Sequence, residues 1–205
     1  MIGKSGKIVD IVGAPASGKS TFARYLAKNY KVKVFSEGEA NDFPNFVKDN
    51  IKDNKNRLQT VLYFHNLTIG LYKQALQTRK KGHNIVLDTF WLSNLFYVVD
   101  SILNDKDEQG LIEDLVQDCI DIWPLPDTII FMYARDDIIK TRLAKRGRAF
   151  EKERVQNYMD VNDYHKAYFK SSDLCKKLPG SKIVCVNAEF IDFDQVAREV
   201  GLKKK

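Results

Sequence analysis

Eight residues near the start of the chain, GAPASGKS from Gly13 to Ser20, combine types and a spacing that suit one kind of chemistry. They fit G-x-x-x-x-G-K-[ST] in full, directly after a β-rich run and at the start of a helical one. Gly13 and Gly18 let the backbone wrap, so that the stretch Gly13, Ala14, Pro15, Ala16, Ser17 and Gly18, closed by Thr21, aims successive N–H groups at phosphate oxygens. Lys19 then reaches the β- and γ-phosphates, and the Ser20 hydroxyl is a Mg²⁺ ligand. The implication is a binder of Mg²⁺–nucleoside triphosphate. The loop does not choose the reaction, because switch GTPases, motor ATPases and small-molecule kinases share it. A GTPase would carry an N-K-x-D base-reading motif, which is absent. An arginine-rich segment late in the chain, RLAKRGR from Arg142 to Arg148, is placed to close over the phosphates.

The elements that must position these residues are legible in the pattern. KIVDIV (7–12), VKVFSE (32–37), NIVLD (84–88), DTIIFMY (127–133) and KIVCVN (182–187) read as strands. TFARYLAKNY continues the glycine loop as a helix. Apolar residues at Leu58, Val61, Leu62, Leu67, Leu71 and Leu76, with Gly82 as a C-cap, predict one long helix over 58–81. Residues 92–121 read as mostly helical with a break near NDKDEQG. The segment after DTIIFMY begins with carboxylates in its first turn, as the helix dipole favours. Further helices are expected over 151–169 and in DFDQVAREV. Strands alternating with helices imply an α/β fold: a P-loop NTPase-type three-layer domain, its five-stranded, mainly parallel sheet covered on both faces, spanning residues 1–205.

Composition narrows the class. The 205 residues are 44% hydrophobic and 29% charged, a globular balance. No apolar run has the length of a membrane span, and MIGKSGKIVD lacks the apolar core of a signal peptide, so a cytoplasmic protein with no membrane partner is expected. Cys119, Cys175 and Cys185 are too scattered for a disulfide framework and, with three isolated histidines, fit no zinc spacing. They read as reduced, mostly buried thiols. The net charge of +6 suits polyphosphate ligands as well as nucleic acid. Aromatics do not interleave with the basic residues as a single-strand groove requires, so no nucleic-acid partner is expected. The terminal Lys203–Lys205 reads as a solvated end.

Four segments, in order along the chain, resemble the deoxyribonucleoside kinases, the deoxycytidine, deoxyguanosine and deoxyadenosine kinase group. The first is the phosphate loop. The second is VFSEGEA (34–40), where the resemblance makes Glu37 the base for the substrate 5′-hydroxyl. A carboxylate just past a strand's C-terminal end lies where open α/β sheets gather ligands. The third is RLAKRGRAFE (142–151), similar to the family's lid R-x-x-x-R-x-R-x-x-E. Arg142, Arg146 and Arg148 fall on its arginines and Glu151 on the glutamate that contacts the sugar 3′-hydroxyl. Arginines suit charge spread over a transferring phosphoryl group. The fourth is VNAEF (186–190), which places Phe190 on the adenine of ATP and Glu189 near its amino group. The resemblance also implies a homodimer packed through helices around 58–81 and 92–103. A softer match on the long helix puts Asn66, with His65 as its rival, at the glutamine whose amide reads the substrate base.

The chain departs from that pattern in three places. The family's third strand ends in Glu-Arg-Ser or Asp-Arg-Ser; here Asp88 keeps the carboxylate, able to hold the Mg²⁺ water shell, and Thr89 replaces the arginine. Glu-Pro becomes Glu37-Gly38, which loosens the loop. No tyrosine precedes the long helix to partner Glu151; DNKNRLQ (53–59) is polar apart from Leu58. The leading expectation is transfer of the γ-phosphate of ATP to the 5′-hydroxyl of a deoxynucleoside. A thymidylate-type monophosphate kinase and a P-loop switch without a small-molecule acceptor are the alternatives.

Overall fold

Burial on both faces makes the central strands apolar throughout. In the computed structural model, which describes residues 5–205, β1 (Ile8–Val12) is buried at all five positions, as are Ile85 to Asp88 of β3 (Asn84–Asp88) and Thr128 to Met132 of β4 (Thr128–Tyr133). With β2 (Val32–Ser36) and β5 (Lys182–Asn187) at the edges, the sheet runs β2-β3-β1-β4-β5, every pair parallel. The long helix, α3 (Arg57–Lys80), follows α1 (Lys19–Asn29) and α2 (Asn45–Asp53). After β3 come α4 (Lys106–Ile122), α5 (Asp136–Arg146), α6 (Val155–Phe169), the short α7 (Leu174–Lys177) and α8 (Phe193–Glu199). Helices flank the sheet as α/β architecture requires.

The sequence reading places no element at α2 or α7; the boundaries of the elements it does place agree to within a residue or two, except in two segments. Residues 91–97 form a 3-10 segment rather than α-helix, and α4 begins only at Lys106, where the Asp105 carboxylate accepts from the N–H groups of Asp107 and Glu108 at 2.8 and 3.2 Å. Residues 149–154 are likewise 3-10, ahead of α6. The sequence does not reveal these because Trp91, Leu92, Ser93, Asn94 and Phe96 are all buried, and packing rather than period sets their backbone.

The three lysines of the basic C-terminus are exposed, as a solvated end should be, but their backbone is pinned. The Lys31 N–H donates to the Lys203 carbonyl at 2.9 Å, and the Lys205 N–H donates to that of Asn29 at 3.0 Å, so the tail adds a short antiparallel bridge beside α1. Lys204 Nζ lies 2.6 Å from Asp194, whose other oxygen accepts from the Tyr25 and Tyr30 hydroxyls at 2.6 Å each. Of the thiols, Cys119 is buried but Cys185 is exposed, because alternate residues of an edge strand face outward; the Cys175 side chain lies outside the described residues.

His165 on α6 is packed flat on Phe96, ring centroids 3.8 Å apart, and its Nδ1–H donates to the Val161 carbonyl at 2.8 Å. Nε2 is buried without a partner. Burial therefore pushes the imidazole down to about 3. Its folded value lies below the unfolded one, so the unfolded chain binds the extra proton between pH 6.5 and about 3. Stability is full above that window and falls, by up to about 1.4 kcal/mol per pH unit, as pH drops through it. Urea melts of His165→Phe across pH 4–7 are expected to show a flatter acid limb than the parent; an identical limb would assign the acid loss elsewhere.

Candidate active site

Sheet register brings three strand ends level. Asp88 stands opposite Ile11 on one side and Ser36 on the other, so the chain leaves the sheet side by side at Gly13, Glu37 and Thr89. A single cavity of about 930 Å³ opens there, lined by the glycine loop, by Glu37, Asp88 and Thr89, and by the segment from Arg142 to Glu151.

The loop is shaped for an anion. Gly13 has φ +152°, and a Cβ there would collide with the Met132 carbonyl oxygen. Gly18, at φ +108°, precedes α1 with no side-chain cap, leaving the helix's first N–H groups free for a ligand. Pro15, Ala16, Ser17, Ser20 and Thr21 all line the cavity. Ala14 does not: it is fully buried and turns its carbonyl to Lys19. Lys19 Nζ donates to the carbonyls of Gly13 at 2.7 Å and Ala14 at 3.1 Å. Burial lowers its proton affinity, while Asp88 and Glu37 pull it back up.

Glu37 is half-buried at the cavity wall. Burial pushes its carboxyl up to about 7; Lys19 draws it down and Asp88 raises it further. That places a proton acceptor in the range where general bases work. Asp88 is buried, with Oδ1 lacking a hydrogen-bond partner. Thr89 sits at φ +84°, a left-handed conformation that costs a β-branched residue on the order of 1–3 kcal/mol. The missing arginine therefore coincides with a strained backbone position at the strand end.

The lid residues divide. Arg146, whose charge is felt at Lys19, gives Nε and a terminal nitrogen to Glu151 Oε2 at 3.0 and 2.6 Å. Arg148 reaches Glu151 Oε1 at 3.3 Å. Both Glu151 oxygens are thus engaged by arginines. Arg142 donates to the carbonyls of Ser17 at 3.1 Å and Ala188 at 2.8 Å, stapling the glycine loop to the loop after β5.

That same loop carries Glu189 and Phe190, expected at the adenine of ATP. The Glu189 carboxylate holds Arg135: one oxygen accepts its backbone N–H at 2.9 Å and the other its Nε at 3.0 Å, fastening the start of α5. Glu189 is off the cavity wall, as is Phe190, whose ring is 85% exposed. Ile191 and Phe193 line the cavity instead.

Asn66 is the residue expected at the substrate base. It is exposed and outside the cavity, whereas Arg57, Thr60, Val61 and Phe64 line it. The spacing i, i+3, i+7 from Arg57 marks the inward face of α3, and Asn66 falls roughly 200° beyond Phe64. Its rival His65 is buried behind that face, with Nδ1 3.3 Å from the Asn94 amide. Asn66→Ala is accordingly expected to leave acceptor KM within about twofold of the parent in steady-state assays. The sequence reading also missed Asn94 and Tyr97, which reach the cavity from the 3-10 segment, and Phe43, edge-on to Phe64 at 5.2 Å.

Loops that hold polyphosphates serve many proteins, but here the same cavity of about 930 Å³ is also walled by α3 and the lid, with room for a second, small reactant. That layout defines a P-loop kinase with a small-molecule acceptor. Residues 9–203 match the model of the deoxynucleoside kinase family, and the chain belongs to that family. It is 25% identical over 204 residues to a deoxyguanosine kinase of Bacillus subtilis, covering 94% of this chain and 95% of the relative. A deoxyadenosine kinase of Lactobacillus acidophilus is 26% identical over 198 residues, covering 91% and 88%. Among solved structures, deoxyadenosine kinase from M. mycoides with bound dCTP superposes with a TM-score of 0.75 at 17% identity, over 94% of this chain and 98% of that one. The chain is a kinase of this family, and among the described residues no helix is long and apolar enough to cross a membrane.

Proposed function

We propose that the protein transfers the γ-phosphate of ATP to the 5′-hydroxyl of a purine deoxynucleoside, with Glu37 as general base. The observation that carries this is Glu37 itself: a half-buried carboxylate at the strand ends, beside Lys19 and Asp88, raised to about 7. The purine preference rests on the relatives that are deoxyguanosine and deoxyadenosine kinases. In the reaction the 5′-oxygen bonds to the γ-phosphorus, the bond to the β-phosphate oxygen breaks, and the hydroxyl proton passes to Glu37. Lys19 and Arg146 face the charge on the transferring group.

Asp88 and Ser20 would hold the Mg²⁺ that accompanies the nucleotide. Asp88 Oδ1 lacks a partner, and the described residues contain no cluster of three or more metal-ligating side chains. One carboxylate and one hydroxyl fit an ion that takes its other ligands from phosphate and water. The ion neutralises charge on the β- and γ-phosphates when bound. A homodimer belongs to the same reading: Leu111 and Ile122 on α4 remain exposed at 44% and 70%, while residues 91–97 are spent mostly inside the chain.

The test is ADP formation with each of four deoxynucleosides, each of four deoxynucleoside 5′-monophosphates, and no acceptor. Turnover that requires a nucleoside supports the proposal. Turnover only with monophosphates would establish a thymidylate-type acceptor, and equal ADP formation without any acceptor would mean a switch or simple ATPase.

A further inference from the structure

Beside the C-terminus of α2 and the first turn of α3, the cavity wall holds more positive charge than a neutral nucleoside needs. Arg57 at the start of α3 and Arg154 at the end of the lid segment both line it. Neither forms an ion pair among the described residues, because the nearby carboxylates are taken: Asp53 by Lys55 at 2.7 Å and Glu151 by Arg146 and Arg148. Arg154 spends Nε and one terminal nitrogen on the carbonyls of Ile51 and Lys52, at 3.1 and 2.8 Å, capping the C-terminus of α2. Arg57 is less satisfied. One terminal nitrogen donates to the Asn54 side chain, but Nε is buried with no partner.

A buried guanidinium donor without an acceptor is costly, and a like charge beside it adds to the cost. Burial, and then the charge of Arg154, hold the Arg57 guanidinium below its usual proton affinity. The first turn of α3 supplies no acid and no side-chain cap, so its free N–H groups add positive potential at the same place. Tyr158, whose ring shares this wall, offers a phenol rather than a counter-charge. Among the described residues no carboxylate lies within ion-pair distance of Arg57 or Arg154, and both line the cavity.

From this arrangement we infer that Arg57 and Arg154 form a second anion subsite, which takes a phosphate monoester beside the C-terminus of α2 and the first turn of α3, outside the phosphate loop. The inference rests on the kinase reading of the same cavity. With the 5′-oxygen at Glu37, the phosphate recognised is one carried on the far side of the acceptor's sugar, at the 3′-position, where the resemblance to the family would put a neutral hydroxyl against Glu151. A guanidinium pair suits a phosphate dianion through charge-assisted, forked hydrogen bonds. A free phosphate ion could satisfy the same groups, so the test separates the two sources.

Calorimetric titration of the full chain with a deoxynucleoside, its 3′-phosphate and inorganic phosphate reads binding without requiring turnover. The 3′-phosphate is expected to bind about ten- to hundredfold more tightly than the nucleoside, a preference lost in Arg57→Gln and partly kept in Arg57→Lys. Inorganic phosphate competing with the 3′-phosphate, with the same dependence on Arg57, would assign the subsite to the free ion while upholding its chemistry. A nucleoside that binds as tightly as its 3′-phosphate, or a preference that survives Arg57→Gln, overturns the inference. Far-UV circular dichroism of each variant establishes that it is folded before it is scored. Failure of the kinase reading would look different: no acceptor-dependent ADP from any nucleoside or nucleotide, whatever the titrations show.

Discussion

Glu37→Gln is expected to lower kcat by about 10²–10⁴-fold while leaving the KM for ATP nearly unchanged, since the amide keeps the shape of the side chain and loses only its proton affinity. The parent enzyme should show an acid limb in its pH–rate profile, with activity rising as Glu37 loses its proton near pH 7 and levelling above it. The sign follows from the cause. Burial raises this carboxyl, so at pH 6 most molecules carry a protonated, inactive base. In Glu37→Gln the limb should disappear along with the rate. A limb that persists unchanged in the variant would move the base to another group and leave Glu37 as a wall of the cavity. Steady-state rates from pH 5.5 to 9, with constant ionic strength, settle it.

Arg146→Gln is expected to cost about 10²–10³-fold in kcat, the range associated with removing one group that stabilises developing charge. Thr89 is the reason. The resemblance to the family expects an arginine there, next to the transfer centre, and a threonine supplies no charge. Among the lid arginines, Arg146 is the one whose charge is felt at Lys19, and it is held in place by two hydrogen bonds to Glu151 Oε2. Arg142, by contrast, is committed to the Ser17 and Ala188 carbonyls, so its loss should loosen the glycine loop and raise the KM for ATP. A kcat–KM split separates the two arginines. If Arg146→Gln instead raises acceptor KM with kcat intact, the residue binds the acceptor rather than the transferring group.

Glu151 is engaged before any acceptor arrives, and this shapes both expectations. Its carboxylate holds Arg146 and Arg148 together at the mouth of the cavity, 7% exposed. Engaging a sugar hydroxyl would require it to share those bonds. Tyr97, Tyr158 and Arg57 line the same cavity.

What the sequence determined by itself is what local chemistry determines. The glycine loop is legible because one short run supplies the positive-φ positions, the lysine and the hydroxyl, and nothing distant is needed. The five strands and the long helix are legible because full burial writes itself as apolar runs and helical spacing. The resemblance names Glu37, Asp88 and the lid arginines, and the structure brings them to one cavity because each lies at or near the end of such an element. Tertiary structure alone decided the acceptor site. Asn66 and Phe64 are two residues apart on one helix and face opposite ways, so a motif match that slips by two positions chooses the solvent side. The linear match expects Glu189 near adenine and gives no sign of Arg135, 54 residues away, which donates to both its oxygens. The Lys203–Lys205 tail is exposed, as expected, yet its backbone pairs with Asn29 and Lys31, which nothing local announces. In each case the outcome turns on which partner the fold places within hydrogen-bonding distance, and separation along the chain carries no information about that.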